Sequence, residues 1–184
     1  TTIQSWFEQH QDDHTNSDLR TLLTHLLNVN SAWVIAHSDF ELEQQHLEQL
    51  NPWLEQLKDN YPLAYIIGYQ DFWNLRLIVN KHTLIPRPDS ELLIEKAIEL
   101  KADAMKIIDL GTGSGALALA LATTHPQANI LACDISEEAL TTAKHNEQKN
   151  QISGITWYCS NWMSNIKDTD FDLVISNPPY IREQ

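Results

Sequence analysis

The sequence predicts an α/β fold, in which a helical N-terminal bundle precedes a domain built on a parallel sheet. Leucines at helical spacing dominate residues 17–60. From residue 106 onward, short apolar runs alternate with helical patterns, which is typical of parallel strands joined by right-handed crossovers. The first of these runs ends in a glycine-rich turn over residues 111–115. Doubly wound sheets bind their ligands at that position.

Composition limits the class of partner. The chain has 184 residues, of which 42% are hydrophobic, so one large or two small domains are possible. With 12 basic and 25 acidic residues the net charge is −13, which argues against a nucleic-acid backbone as the main partner. Residues 1–68 hold ten of the acidic residues and two of the basic ones. That excess could serve a basic protein partner or solubility alone.

We expect a cytoplasmic protein without membrane association. No apolar run approaches the roughly 20 residues of a membrane span, and the first residues lack the basic and apolar regions of a signal peptide. Cys133 and Cys159 end predicted strands and are expected to be free thiols. His10 and His14 have no third ligand nearby in the sequence, so no metal site is predicted.

Residues 1–68 are expected to form a small helical domain. Its predicted segments are 2–10, the leucine-bearing helix Leu19 to Leu27, 32–36 and 42–59. Ser17 is the predicted N-cap of the leucine helix, and Pro52 is expected to kink or split the last helix. Residues 64–67 are read as either helical or extended.

Residues 69–84 are expected to join the two domains as a β-hairpin. Its strands are placed at Phe72-Trp73 and at Leu75 to Val79, with Asn74 between them.

Residues 85–184 are expected to form the second domain, which is built on the parallel sheet. Pro88 suits the first turn of a helix over 92–100, and Glu91 suits its positive end, although Arg87 and Glu91 could instead line a site. The predicted strands that follow are 106–110, 129–133, 155–159 and 171–176, and the predicted helices are 116–124 and 137–150, the latter capped by Ser136.

The first turns of this domain carry candidate ligand contacts. In Gly111-Thr112-Gly113-Ser114-Gly115, the glycines let the backbone approach a ligand closely. The Asp134 carboxylate ends the next strand and can accept hydrogen bonds from both hydroxyls of a ribose. Dinucleotide-binding enzymes share both features, so a nicotinamide dehydrogenase stays open, as does a strand-end aspartate without a ligand.

The run Asn177-Pro178-Pro179-Tyr180 points to a planar NH2 group. Two consecutive prolines fix two φ angles and leave a stiff loop with outward carbonyls. The Asn177 side-chain oxygen and the Pro178 carbonyl could accept both N–H bonds of an amide, with Tyr180 packed on its plane. A methyl group on a sulfonium would be the electrophile, and catalysis would rest on orientation and electrostatics. The alternative is a rigid loop without chemistry.

The chain resembles the HemK/PrmC family of S-adenosylmethionine-dependent methyltransferases in four segments: Asp109 to Gly115, Asp134, Asn177 to Tyr180 and Arg87 to Glu91. The resemblance covers nearly the whole chain. It implies a Rossmann-like class I methyltransferase domain behind a helical substrate-recognition domain. The implied reaction methylates N5 of the glutamine in the Gly-Gly-Gln motif of peptide chain release factors.

The resemblance also implies residue roles. Gly111 to Gly115 and Asp134 would bind S-adenosyl-L-methionine, with S-adenosyl-L-homocysteine as the product, and Trp162 would lie by the adenine. Asn177 would contact both cofactor and substrate. The implied substrate-binding residues are Asn177, Pro178, Pro179, Tyr180, Arg87 and Glu91, and the implied catalytic residues are Asn177, Pro178 and Tyr180. Core packing is the alternative for Trp162.

Three departures from the family pattern stand out. Ser90 replaces a threonine and keeps its hydroxyl, whereas Asn161 replaces an acid near the expected adenine site. The class I sheet has seven strands and this sequence predicts four, so we expect a C-terminally truncated chain with an exposed last strand and weakened cofactor binding.

Rival functions remain. A nucleic-acid adenine N6-methyltransferase would also hold an exocyclic NH2, but the net charge of −13 weighs against it. A non-catalytic module that binds release factors through the acidic helical domain is the second rival. We expect a monomer that binds release factors and no nucleic acid directly.

Overall fold

The computed structural model describes residues 1–178. The chain divides into two compact units, the first over Thr1–Ile67 and the second from Gly68 onward. The first unit contains the helices α1 (Ile3–His10), α2 (Asn16–Leu27), α3 (Ser31–Ala36), α4 (Gln44–Lys58) and α5 (Leu63–Ile67).

The core of the first unit confirms the amphipathic pattern of the leucine helix. Leu19, Leu22 and Leu23 on α2 are fully buried, together with Trp6 on α1 and Leu50 on α4. A helical face with this spacing buries its apolar stripe against its neighbours, which stabilises helices too short to form alone.

The prediction of Ser17 as the N-cap of α2 is wrong, because Thr15 has that role. The Thr15 hydroxyl oxygen accepts from the Asp18 amide at 3.1 Å, and the hydroxyl donates to the Asp18 carboxylate at 2.8 Å. Pro52 does not split α4, which continues to Lys58. Burial of Leu50 and Leu54 offsets the missing backbone bond.

The second unit begins with an antiparallel hairpin of β1 (Tyr69–Phe72) and β2 (Leu75–Ile78). Phe72 pairs with Leu75, so the turn consists of Trp73 and Asn74, and Trp73 has φ +56°. The sequence-based prediction that Trp73 belongs to the strand is wrong, because a tight hairpin needs two residues in the turn.

A four-stranded parallel sheet follows. A 3-10 helix over Pro88–Ser90 leads into the remaining elements: α6 (Glu91–Lys101), β3 (Lys106–Leu110), α7 (Ala116–Thr124), β4 (Asn129–Asp134), α8 (Glu137–Lys149), β5 (Ile155–Cys159) and β6 (Leu173–Ser176). The strand order is β5-β4-β3-β6. Ile107 and Ile108 of β3 are both fully buried, as expected for a strand covered on both faces.

The strand order places the ligand crevice. The chain moves from β3 outward through β4 to β5, then returns so that β6 pairs with the other side of β3. Open parallel sheets bind ligands where the order reverses, at the carboxyl ends of the strands. The glycine turn follows β3 and Asn177 follows β6, so the fold brings both to this point.

Among residues 1–178, none of the helices combines the length and apolarity needed to cross a membrane. The same residues contain no group of three or more His, Cys, Asp or Glu side chains that could hold a metal ion.

Candidate functional site

A cleft lies at the carboxyl ends of β3 and β6. Gly111 to Ser114 form one wall, and Asn177 lies on the β6 side. Leu84, Pro86 and Ser90 come from the connection between the hairpin and α6. The structure therefore brings the glycine turn and Asn177 together, as the sequence predicts.

The glycines of the turn have different structural roles. Gly111, Gly113 and Gly115 have φ angles of +72°, +55° and +84°, which side-chain-bearing residues rarely adopt. A Cβ added at Gly111 would meet no heavy atom within 4 Å, so that face is open to a ligand. A Cβ at Gly115 would come within 3.0 Å of Trp157. Gly115 thus allows α7 to pack closely, and its contact with a cofactor stays a prediction.

Hydrogen bonds to the Cys133 carbonyl and to the Asp134 carboxylate hold the turn against the end of β4. The Gly111 and Thr112 amides both donate to the Cys133 carbonyl at 2.9 Å. One Asp134 carboxylate oxygen accepts from the Gly113 amide at 2.8 Å, and the other accepts from the Ser136 amide at 3.0 Å. Because each carboxylate oxygen has further acceptor capacity, Asp134 can hold the turn and still accept from a hydroxyl group.

Asp109 is the buried charge of the site. It is the penultimate residue of β3, lines the cleft and is 1% exposed. Its Oδ2 accepts from the Thr112 hydroxyl at 2.6 Å, whereas its buried Oδ1 has no hydrogen-bond partner among the described residues. Burial is the main reason that the pKa of Asp109 is raised to about 6. The Thr112 hydroxyl and the nearby Ala118 amide act to lower this pKa, and the negative charge of Asp134 acts to raise it further.

The Asp109 carboxylate suits a cationic ligand in the cleft. An unsatisfied buried carboxylate oxygen marks a position where a positive group would gain both a hydrogen bond and charge neutralisation. S-adenosylmethionine carries positive charge on its sulfonium and on its ammonium group, and the ammonium group can also donate a hydrogen bond, so Asp109 fits this cofactor.

Asn177 is held by a residue from a distant part of the chain. Its side-chain Nδ2 donates to the Ser90 hydroxyl oxygen at 2.8 Å, and both residues are partly buried. The preceding Ser176 hydroxyl donates to the Leu110 carbonyl at 2.7 Å, which fixes the end of β6 beside the end of β3. Pro178 is half-buried. The predicted residues Pro179 and Tyr180 lie outside the described residues.

Glu91 and Arg87 do not line the cleft in the described structure. Glu91 Oε1 accepts from the Trp73 amide at 2.6 Å, so its side chain supports the hairpin turn. The exposed Arg87 accepts at its carbonyl from the Ser90 amide at 2.9 Å. Ser90, between them in sequence, is the residue of this segment that reaches the cleft.

Trp162 is placed by its backbone. Its carbonyl accepts from the Ser160 hydroxyl at 2.7 Å and from the Cys133 thiol at 3.6 Å, and its φ is +54°. The residue is 53% exposed, which contradicts the alternative that it is ordinary core packing. A positive φ at so bulky a residue is uncommon, and its contact with a cofactor stays a prediction.

Sequence reasoning gave no role to Asp109, Ser90 and Asn146. The signal for Asp109 was a charge at the end of the apolar run of β3. Asn146 interrupts the apolar stripe of α8 and is 0% exposed. Its Oδ1 accepts from the Ile78 amide at 2.6 Å, and its Nδ2 donates to the carbonyls of Ile78 and Ser114 at 3.0 and 2.9 Å. Asn146 therefore joins the hairpin to the glycine turn.

Comparison with known proteins defines the class. Residues 88–184 match the methyltransferase small domain family, and residues 2–68 match the PrmC N-terminal domain. The chain belongs to the methyltransferase small domain family.

Curated relatives narrow this class. The release factor glutamine methyltransferase of Xylella fastidiosa strain Temecula1 is 40% identical over 166 residues, which are 89% of this chain and 60% of the relative. The release factor glutamine methyltransferase of Escherichia coli K12 is 39% identical over 168 residues, which are 91% of this chain and 61% of the relative. With both of its domains matched, the chain is a member of the HemK/PrmC family, and it spans about three fifths of the length of these relatives.

A solved structure supports the fold. The S-adenosylmethionine-dependent methyltransferase of Agrobacterium tumefaciens aligns with a TM-score of 0.51 and 19% identity over 60% of this chain and 39% of that chain. At this identity the similarity concerns the fold, which confirms a Rossmann-like α/β domain.

Proposed function

We propose that the protein transfers a methyl group from S-adenosyl-L-methionine to N5 of the glutamine in the Gly-Gly-Gln motif of peptide chain release factors. The observation that carries the proposal is the cleft, in which an asparagine amide faces a glycine turn. Similarity to release factor glutamine methyltransferases over nine-tenths of the chain supports the choice of substrate.

The cofactor would be held on the β3 and β4 side of the cleft. The open backbone face of Gly111 would admit it, and the Asp134 carboxylate would accept from its ribose hydroxyls. We expect the exposed ring of Trp162 to cover its adenine. When bound, the cofactor supplies an electrophilic methyl group and leaves as S-adenosyl-L-homocysteine.

The β6 side would hold the substrate amide. The Asn177 Oδ1 and the Pro178 carbonyl would accept from the two N–H groups of the glutamine side chain, and we expect Tyr180, which lies outside the described residues, to pack on the amide plane. An amide nitrogen is a weak nucleophile because its lone pair is delocalised, so holding its π face towards the methyl group is the main catalytic contribution. The proton becomes acidic once the methyl group adds, and no strong base is required.

The helical unit would recognise the release factor. The excess of acidic residues in 1–68 favours a basic surface on that partner. The net charge of −13 disfavours direct contact with nucleic acid. We expect one copy of the protein to act on one release factor.

Methyl transfer from radiolabelled S-adenosylmethionine tests the proposal. A protein carrying this sequence is offered release factor, release factor with the Gly-Gly-Gln glutamine replaced by alanine, DNA and RNA. Label is expected in the unmodified release factor alone. Label in nucleic acid alone would favour adenine methylation. Binding to release factor without any label would favour the non-catalytic module.

Calorimetry separates the cofactor question from the substrate question. We expect heat of binding with S-adenosylmethionine and none with NAD. The Asp134→Ala variant should lose at least tenfold in affinity, since it removes the ribose acceptor and the Gly113 anchor together. Exposed Asp168→Ala is the matched control.

A further inference from the structure

The hydrogen bond between Asn177 and Ser90 joins residues 87 positions apart in sequence. Both side chains line the cleft beside the glycine turn. The donor is the Asn177 Nδ2, the acceptor is the Ser90 hydroxyl oxygen, and the distance is 2.8 Å. In this contact the donor end of the Asn177 amide faces Ser90, and the hydroxyl, which can accept as well as donate, gives Nδ2 a partner in that orientation.

The direction of that bond matters for a substrate amide. A carboxamide has a donor end and an acceptor end of nearly the same shape. With the donor end at Ser90, the acceptor Oδ1 occupies the other branch of the amide. A rotated side chain would place its own N–H groups where a substrate NH2 also needs an acceptor. Donor would then face donor, and the amide could not be held.

The Ser90 hydroxyl is itself held by a rigid backbone. Ser90 ends the 3-10 helix, and its amide donates to the Arg87 carbonyl at 2.9 Å. The next residue, Glu91, accepts from the Trp73 amide at 2.6 Å and so ties the segment to the hairpin turn. Because its neighbours are fixed on both sides, Ser90 can set the position of another side chain.

We propose that Ser90 is a positioning residue that accepts from the Asn177 Nδ2 and so holds the amide in the orientation in which its oxygen accepts from the substrate NH2. The inference rests on the proposed function and adds to it the residue that pairs the donor end of the Asn177 amide while the other end holds the substrate. Ser90 need not touch the substrate. Its effect is on the fraction of protein in which Asn177 presents an acceptor.

The test combines methyl transfer with NMR of the asparagine side-chain amides. The variants are Ser90→Ala, which removes the hydroxyl, and Ser90→Thr, which keeps it. Ser153→Ala removes a hydroxyl from an exposed loop and is the control. We expect kcat to fall about tenfold in Ser90→Ala, because the reacting amide is misaligned. Ser90→Thr should restore kcat to within about twofold, and the Kd for S-adenosylmethionine should change less than threefold in each variant.

NMR reports the contact without requiring activity. The Asn177 NH2 signals, assigned by their loss in Asn177→Asp, should shift in Ser90→Ala and return in Ser90→Thr. A double variant, Ser90→Ala with Asn177→Ala, should be no slower than Asn177→Ala alone. The inference would be overturned if the losses in kcat from the two substitutions were additive. It would also be overturned if the Asn177 NH2 chemical shifts were the same in Ser90→Ala as in the wild type. A wild-type protein that methylates no release factor overturns the proposed function, and the NMR shifts still decide whether Ser90 orients Asn177.

Discussion

The glycine turn and Asn177 lie on opposite sides of one cleft, yet they are fixed by different contacts. The turn is tied to the neighbouring strand through Cys133 and Asp134, to α8 through Asn146, and to its own strand through Asp109. The Asn177 side chain instead donates a hydrogen bond to Ser90, on the segment that follows the hairpin.

This difference separates the two halves of the proposed reaction. A cofactor site formed by the sheet and its helices is set once the α/β core packs. A substrate-amide site that depends on Ser90 requires the hairpin and the segment after it to be in place as well. Variants in the first group should change both stability and cofactor binding, whereas variants in the second should change mainly transfer.

Asn146 is where we expect the largest effect, because it supports both the hairpin and the turn. Asn146→Ala leaves the Ile78 amide and the carbonyls of Ile78 and Ser114 without their partner. Each buried group left unpaired costs about 1–3 kcal/mol, so the free energy of unfolding should fall by roughly 4 kcal/mol. Urea denaturation measures the loss.

Asn150 offers a matched control one helical turn later. It makes similar bonds to the backbone of Arg76, but at a more exposed position. Asn150→Ala should cost about 1 kcal/mol, since water can replace the lost bonds. Equal losses in the two variants would show that the bond to the glycine turn contributes nothing.

Gly115 tests whether packing, rather than ligand access, requires a glycine in the turn. In Gly115→Ala the new methyl group would lie 3.0 Å from Trp157 and 3.1 Å from the Ala143 Cβ, at a φ of +84°. Left-handed strain and overpacking together should cost roughly 3 kcal/mol. Gly154→Ala, at φ +95° with nothing within 4 Å, carries the strain alone and should cost about 1 kcal/mol. If both variants lose the same stability, the packing explanation fails.

Most of the fold could be predicted from the sequence, because periodicity reports burial directly. The leucines of α2 and the apolar strands β3 to β6 were recognisable in this way. The Thr15 cap and the Trp73 turn were missed, since several nearby polar residues could have taken those positions. In the site, motifs located the glycine turn and Asn177. Ser90 and Asn146 act across long separations, and local patterns carry little information about such contacts.

Replacement of Asp109 should raise stability, whereas the replacements above lower it. The reason is that a buried carboxylate destabilises the fold even though it suits a cationic ligand. The folded-state pKa of about 6 lies above the ordinary value of 3.8. The neutral carboxyl therefore stabilises the fold below about pH 4, and this contribution disappears as the pH rises through 6. At pH 8, Asp109→Asn should raise the free energy of unfolding by at most about 3 kcal/mol. Near pH 4 the difference should vanish.

Calorimetry completes the Asp109 experiment. The same variant should bind S-adenosylmethionine at least tenfold more weakly at pH 8, because the carboxylate that matches the positive charge is gone. Unfolding curves at a series of pH values measure the free energy of unfolding of the variant and of the wild type. A variant that is less stable than wild type at pH 8 would contradict the explanation from burial of charge.

The smallest effect is expected at Glu91, which supports the Asn177 side through the hairpin turn. Its carboxylate accepts from the Trp73 amide, and Glu91→Gln keeps an acceptor while removing the charge. A charge-assisted hydrogen bond exceeds a neutral one by about 1 kcal/mol, so stability should fall by roughly that amount. Because Glu91 adjoins Ser90, methyl transfer should slow about threefold with little change in the Kd for the cofactor. Glu95→Gln, exposed on α6, is the control and should leave both unchanged. A larger loss in cofactor affinity than in transfer would mean that the two sides of the cleft are not held independently.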